Sequence, residues 1–415
     1  MTENIAIEAR NAGKPAETPA LDERHPIAVS LLTGGGDKPY AFGLATELIR
    51  RGMPLDLIGS DDLDLPEFHG KPGLRFLNLR GDQRPEANMK EKALRVVASY
   101  INLIRYALTS KPRIFHILWN NKFPYFDRTI LMLYYKLLGK KIAFTVHNVN
   151  AGTRDANDTF VNRLTLRTQY RLTDHLFVHT DKMKSELIRE FGVQGNRVTV
   201  IPFGINNSVP NTSLTPAEAK RRLGIQAHQK VMLFFGHIAP YKGLEYLVTA
   251  LQQVLSRDQE HLLIIAGRPK SCEEYWSSVR SSFSKELQAG KILLKAEHIP
   301  DEETEIYFKA ADVLVLPYTH VYQSGVLFLG HSFGLPVLAA DVGSLKEEIV
   351  EGKTGFVFQP RDPADLASVI ERYFASDLFA NLDNRRQSIR EDAGASHSWE
   401  IVGQATLDVY AGLRS

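Results

Sequence analysis

Gln323-Ser324-Gly325-Val326 opens an apolar helical stretch just after a strand that ends in Pro317-Tyr318. The first turn of a helix carries N–H groups with no partner inside the helix, and the aligned peptide dipoles add partial positive charge there. Such a turn suits a phosphate. Gly325 lets the backbone approach a ligand without a Cβ in the way, and Ser324 adds a hydroxyl donor or an N-cap. The competing reading is a plain serine cap on a buried helix. The strand end before it, and an intervening loop with Thr319, His320 and Tyr322, residue types expected at the surface, favour the phosphate.

A second feature has the same character. The strand VMLFFG ends in Gly236, and the loop HIAPYKG carries His237 and brings Lys242 to the start of the next helix. A lysine there reaches an anion held beside the strand ends; the alternative is a solvated loop lysine next to a cap glycine. Near the N-terminus, TGGGDKPY places Gly34, Gly35 and Gly36 in another strand-to-helix turn. It is not G-x-G-x-x-G, so a dinucleotide site is a weak reading, although Asp61 and Asp62 follow the second strand where a ribose-binding acid would sit. His147, His179 and His237 each follow or close a strand. Strand-end histidines facing a cleft are often functional, whereas a lone histidine is usually structural. No H-E-x-x-H and no carboxylate pair at ligand spacing occurs, so no metal site is expected.

These turns need strands to hold them. IAVSLL, LDLIGS, IFHILW, KIAFTV, HLFVHT and VTVIP read as strands in the first half, and VMLFFG, LLIIAG, ILLK, VLVLP and PVLAA in the second. Continuous apolar strands alternating with amphipathic helices indicate parallel sheets covered on both faces. The expected class is α/β, with two Rossmann-like doubly wound domains facing a cleft, since ligands of such sheets bind at the carboxyl ends of the strands. The expected organisation is a disordered tail at 1–25, an N-terminal domain at 26–205, a linker and short helix at 206–227, a C-terminal domain at 228–395 and a terminal helix at 396–415. The short helix begins with Thr215 as cap, Pro216 in first position and Glu218 completing a capping box.

The totals fit. A chain of 415 residues exceeds one core. A net charge of +2 gives no reason to expect nucleic acid. One cysteine, Cys272, leaves no internal disulfide and fits a reducing compartment. No apolar run approaches the ~20 residues that span a bilayer, and no signal peptide is read at the start. The expected location is the cytoplasm, or the inner face of the cell membrane.

In order along the chain, FTVHNV, FVHTDKMKSEL, VIPFGI, LFFGHIAPYKGLEYLVTAL, IIAG, IPDEETEIYFKAADVLVLPY and QSGVLFLGHSFGLPVLAADVGSLKEEIVEGKTGFVF resemble the landmarks of glycosyltransferase family 4, which has the GT-B fold. The resemblance implies a retaining, metal-independent transferase that uses a nucleotide diphosphate sugar as donor and no cofactor. It assigns Lys242, Gly325 and Val326 to the donor diphosphate and His147 to the transferred sugar. It sets the loop Gly34–Gly36 along the cleft and the closing SWEIVGQATLDVY across to the N-terminal domain. Gly236, His237, Gly267, Arg268 and Ser324 fall on the donor side, with Gly267–Arg268 and His298–Ile299 near the base.

Two departures stand out. His237 occupies a position where the family commonly has arginine, and Val321 and Leu329 stand where two glutamates are frequent. This is the pattern of a branch with Q-S-G-V in that place, and His320, Glu347 or Glu348 is the candidate for the ribose contact. The acceptor is a glycan, a lipid-linked sugar or a small molecule. The aromatic and basic stretch 100–136, with Arg105, Lys111, Arg113, Lys122 and Phe123, reads as core aromatics and surface charge, or else as peripheral membrane contact. The rival functions are a non-catalytic nucleotide-sugar-binding protein and a nucleotide-sugar epimerase on the same fold.

Overall fold

The computed structural model describes residues 27–414 apart from 36–37, 85–86, 155–157, 206–208 and 271. The tail at 1–25 and Gly36 lie outside the described residues.

The first half runs β1 (Val29–Leu32), α1 (Lys38–Arg50), β2 (Leu55–Gly59), β3 (Leu74–Asn78), α2 (Met89–Thr109), β4 (Ile114–Ile117), α3 (Pro124–Phe126), α4 (Met132–Leu137), β5 (Lys141–Thr145), α5 (Ala151–Arg154), α6 (Phe160–Leu172), β6 (His175–Val178), α7 (Asp181–Phe191) and β7 (Val198–Val200). The second runs α8 (Pro216–Arg222), β8 (Lys230–Phe235), α9 (Leu244–Leu255), β9 (His261–Ala266), α10 (Glu273–Ser282), α11 (Ser284–Gln288), β10 (Ile292–Lys295), α12 (Asp301–Ala310), β11 (Val313–Leu316), α13 (Gly325–Ser332), β12 (Val337–Ala340), β13 (Gly355–Phe358), α14 (Pro363–Phe374), α15 (Asp377–Ala380), α16 (Leu382–Ser396) and α17 (Trp399–Arg414).

The strands form a seven-stranded sheet ordered β3-β2-β1-β4-β5-β6-β7 and a six-stranded sheet ordered β10-β9-β8-β11-β12-β13. Pairing is parallel; Val29, for example, registers with Leu55 on one side and Ile114 on the other. Each sheet has an apolar cluster on either face. This burial explains why the central strands read as unbroken apolar runs.

The two strands that apolar runs do not reveal are both edges. β3, Leu-Arg-Phe-Leu-Asn, has no buried residue and mixes polar with apolar. β13 opens on Gly355 and is four residues long. Exposure removes the apolar signal from β3, and shortness with a leading glycine removes it from β13. The α8 start also differs in detail from the expected box. Thr215 Oγ1 accepts from Glu218 N at 3.2 Å. The Glu218 carboxylate pairs instead with Arg222 at 3.0 Å, one turn on, and with Arg221.

The chain returns to the first sheet at its end. Helix α17 packs on α1, and Trp399, Val402 and Tyr410 join the core cluster of β1 and β2. The Trp399 indole donates to Ile205 O at 2.9 Å. A Cβ on Gly43 or on Gly204 would run into this ring, at 2.0 and 2.5 Å. Tyr410 Oη lies 2.5 Å from His116 Nδ1, a fully buried ring on β4 whose Nε2 faces Thr145 Oγ1. Among the described residues no helix is long and apolar enough to cross a membrane.

Truncating a buried tryptophan typically costs about 3–5 kcal/mol. Trp399→Ala should lower the unfolding free energy by about that amount in denaturant titration. A loss below about 1 kcal/mol would show that the indole does not hold the two halves together.

Candidate active site

The carboxyl ends of both sheets meet around a cavity of about 310 Å³. Pro39, Tyr40, Asn148, Phe203 and Gly204 line it from the N-terminal side. Tyr241, Lys242, Tyr318, Val321, Gln323–Val326 and Leu329 line it from the other.

Helix α13 begins at Gly325, with Ser324 in extended backbone as its N-cap and no side chain capping the turn. Ser324 is buried, and its Oγ donates toward Tyr318 Oη at 3.4 Å rather than to its own helix. The first-turn amides therefore face the cavity without a side-chain acceptor. Lys242 is 7% exposed, lies 4.5 Å over the Tyr318 ring and donates to Tyr318 Oη at 2.7 Å. Gly243 makes this placement feasible. It has φ +64, and a Cβ there would sit 2.0 Å from Pro317 O. Gly236 closes the arrangement, since a Cβ on it would lie 3.5 Å from both Lys242 Nζ and Val326 Cγ2. Strand end, lysine and helix start thus converge on one point.

His237 is exposed on the same loop, and its ring is held down to about 4, by desolvation first and then by Lys270, Lys242, Arg268 and His298. The ring is neutral at pH 7, but the cations that keep it so surround the strand ends. Backbone pairing of Ile238 with Arg268 and Lys270 ties the loops after β8 and β9 together. Gly267 is buried at the end of β9, beside Gly236, while Arg268 is exposed.

His147 lies next to the cavity, but its neighbour Asn148 is the residue that lines it. The His147 ring stacks on Trp119, centroids 4.0 Å apart, and meets Tyr40 edge-on. His147 Nδ1 is 3.1 Å from His179 Nε2, and His179 Nδ1 is 3.4 Å from Ile201 O. A carbonyl only accepts, so His179 carries its proton on Nδ1 and presents a bare Nε2. His147 then donates from Nδ1, which leaves its own Nε2 as a bare acceptor, and no described group bonds to it. Burial pushes the His147 ring well below the ordinary range, with His179 and His116 adding to it. Burial likewise takes His179 down to about 4.

Gly34 has φ +55, and a Cβ there would strike Trp119 O at 2.2 Å, so this glycine is required for the loop to lie against β4. Gly35 lies against the Arg80 guanidinium. Val321 and Leu329, in the places of the frequent glutamates, do line the cavity. Glu348 does not. Its carboxylate accepts from Gln323 Nε2 at 3.0 Å and pairs with His397 Nε2 at 3.1 Å. Burial alone would raise the Glu348 carboxyl, but His397 and Gln323 hold it below its usual value. Its effect on the cavity passes through Gln323. Asp61 and Asp62 are exposed.

The loop before α13 is less exposed than its residue types suggest. Tyr322 is buried and donates to Glu186 on α7 at 2.7 Å, bridging the two halves. Tyr318, Tyr40, Trp119, Gln323 and Lys270 belong to this site and carry no motif. Only the placement of Tyr318 and Gln323 in the segment between β11 and α13 could have signalled two of them. Among the described residues no group of three or more His, Cys, Asp or Glu could hold a metal ion.

Residues 34–209 match the family model described as Glycosyltransferase Family 4, and residues 229–376 match that of Glycosyl transferases group 1. The D-inositol 3-phosphate glycosyltransferase of Corynebacterium diphtheriae is 26% identical over 396 residues, covering 91% of this chain and 89% of that protein. The enzyme of the same name from Streptomyces avermitilis is 29% identical over 241 residues, 57% of this chain and 51% of that protein. Among solved structures, sucrose-phosphate synthase from Thermosynechococcus elongatus superposes with a TM-score of 0.74 at 18% identity, covering 93% of this chain and 99% of that one. Anabaena Alr3699/HepE in complex with UDP and glucose gives 0.72 at 15% identity, covering 94% and 100%.

The histidines make stability depend on pH. The unfolded chain takes up protons as pH falls below about 6.5, while buried His179 resists down to about 4. The unfolded state therefore binds more protons in that window. The melting temperature should fall as pH is lowered through it, and the slope should be shallower in His179→Asn. An unchanged slope in that variant would mean that His179 is not held neutral.

Proposed function

Since the chain belongs to glycosyltransferase family 4, we propose that it takes a sugar from a nucleotide diphosphate sugar, retains the anomeric configuration and needs no metal ion. The carrying observation is that Lys242 and the α13 turn, with no side-chain cap, face one cavity between the two sheets. Departure of the nucleoside diphosphate builds negative charge on its β-phosphate. Lys242 and the amides of Gly325 and Val326 neutralise that charge in a fixed, partly desolvated setting, where such donors act most strongly.

The acceptor hydroxyl attacks on the face from which the phosphate leaves. The bond from the anomeric carbon to the acceptor oxygen forms as the bond to the phosphate oxygen breaks, and the hydroxyl proton passes to the departing phosphate. His147 stands behind Asn148 and orients the sugar indirectly, by fixing the cavity wall through its stack on Trp119 and its bond to His179. The cations around His237 take the part of the missing arginine. A glycan, lipid-linked or small-molecule acceptor enters from the N-terminal side. The Anabaena protein, also solved in complex with UDP-glucose, makes that compound the first donor to assay, and the names of the Corynebacterium and Streptomyces relatives add a phosphorylated polyol to the acceptors. A cytoplasmic site fits the single cysteine.

Removing one such donor costs about 2.7–4 kcal/mol of barrier, so Lys242→Ala should lower kcat roughly 100- to 1000-fold. The unfolding midpoint, measured alongside, reports whether the fold is intact. Turnover close to the parent's would remove the diphosphate reading. Product of inverted configuration by NMR would instead remove the same-face attack, and loss of activity in EDTA the metal independence.

A further inference from the structure

Helix α2 has two apolar faces. Tyr100, Leu103, Tyr106 and Ala107 are buried against the sheet. Leu94, Val97, Ile101, Ile104 and Leu108 repeat at three- and four-residue spacing on the outside, from 37% exposed at Ile104 to 70% at Leu94. A surface helix ordinarily turns its polar side to water.

The outer stripe does not stand alone. Tyr134 on α4 donates to Ile104 O at 3.1 Å, and α4 exposes Leu133 and Leu137. Helix α6 packs on α4 and exposes Phe160, Val161 and Leu164. Three neighbouring helices thus expose large apolar side chains on the same domain.

Charge selects the occupant. Between Met89 and Lys141 there are eleven Lys or Arg and two acidic residues, in a chain whose net charge is only +2. Of the two acids, Glu91 closes the α2 capping box and Asp127 is buried. Lys90, Arg105, Lys111, Arg113, Lys122 and Lys141 are exposed. Lys90, Leu94, Val97, Ile101, Arg105 and Leu108 succeed one another at helical spacing, which puts cations within the apolar stripe. A second copy would set these cations against their own kind. An anionic lipid surface accepts both features, apolar side chains at the acyl boundary and cations at the headgroups.

We infer that the outer face of α2, α4 and the start of α6 docks on an anionic phospholipid surface. Phe123, 53% exposed, stacks on Tyr100 beside this face. Asn120 O, three residues before Phe123, lies close to Gly34 in the turn after β1, so the docked face adjoins the loops at the carboxyl end of the first sheet. An acceptor anchored in the bilayer then meets the cleft at its N-terminal rim, a step that rests on the transferase reading above, whereas the docking itself does not.

The test is co-flotation of the full chain with vesicles of phosphatidylcholine and phosphatidylglycerol, against phosphatidylcholine alone. Binding should require the anionic lipid and weaken as salt is raised. Arg105→Gln should lower the partition coefficient roughly five-fold. Leu94→Ser with Leu108→Ser should lower it at least roughly tenfold. Nucleoside diphosphate binding by calorimetry should stay at the parent's level in all of these variants. No flotation with anionic vesicles, or flotation that these substitutions leave unchanged, would overturn the proposal. A dimer in sedimentation that the leucine substitutions dissociate would overturn it in favour of self-association. Loss of transfer activity with flotation intact would count against the cleft reading alone.

Discussion

Gly43 and Gly204 leave a slot that the Trp399 indole fills, and the ring also lies 5.2 Å from Tyr40. Tyr40 and Gly204 both line the cavity. One aromatic side chain from the end of the chain therefore supports the N-terminal wall of the site, while its N–H holds the segment after β7 at Ile205. The next residues upstream extend the connection. His397 donates to Phe203 O from Nδ1 and pairs with Glu348 on its other ring nitrogen, and Glu348 holds Gln323 next to the start of α13. The two sheets are tied across their open side by a short, partly buried path.

Within that frame the chemistry is a matter of where positive potential is allowed to collect. Parallel strands all end on one side, so the loops after β8, β9 and β11 bring their polar groups to the same place. Lys242 is desolvated against Tyr318, α13 points its amino end inward, and desolvation, with Lys270, Lys242, Arg268 and His298 adding to it, holds the His237 ring down to about 4. The loss of an arginine at position 237 is thus set against cations brought in from the neighbouring loop, a compensation that arises because β8 and β9 are adjacent and parallel. On the opposite side the His147–His179 pair is fixed by a backbone carbonyl, which leaves an acceptor nitrogen and no charge. Cationic groups thus gather on the C-terminal side of the cavity and neutral imidazoles on the N-terminal side.

The N-terminal domain also carries a burden that its fold does not require. Burying Leu103 and Tyr106 is enough to attach α2 to the sheet, yet Leu94, Ile101 and Leu108 face water. Exposed aliphatic side chains in such numbers, with a local excess of cations, belong to recognition rather than to folding.

Strand-rich apolar runs and the glycine turns after them were legible in the sequence because their causes are local. A strand buried on both faces must be apolar throughout, and a tight strand-to-helix turn favours small residues. Gly34, Ser324 and Gly325 were readable as such turn residues, and Lys242 as a cation at the next helix start. The edges β3 and β13 were not: β3 is exposed and mixes polar with apolar residues, and β13 is a four-residue run that opens on glycine. Nor were Tyr318 under Lys242, Trp119 beneath His147, or Glu348 bound to Gln323 and His397. The residue type at each of those positions is compatible with many surroundings, and only the meeting of segments far apart in the chain decides which one it has. Local propensity and burial determined the two sheets and their turns; the tautomer of His147, the engagement of Glu348 and the cationic shell of His237 were decided by contacts that exist only once both sheets are in place.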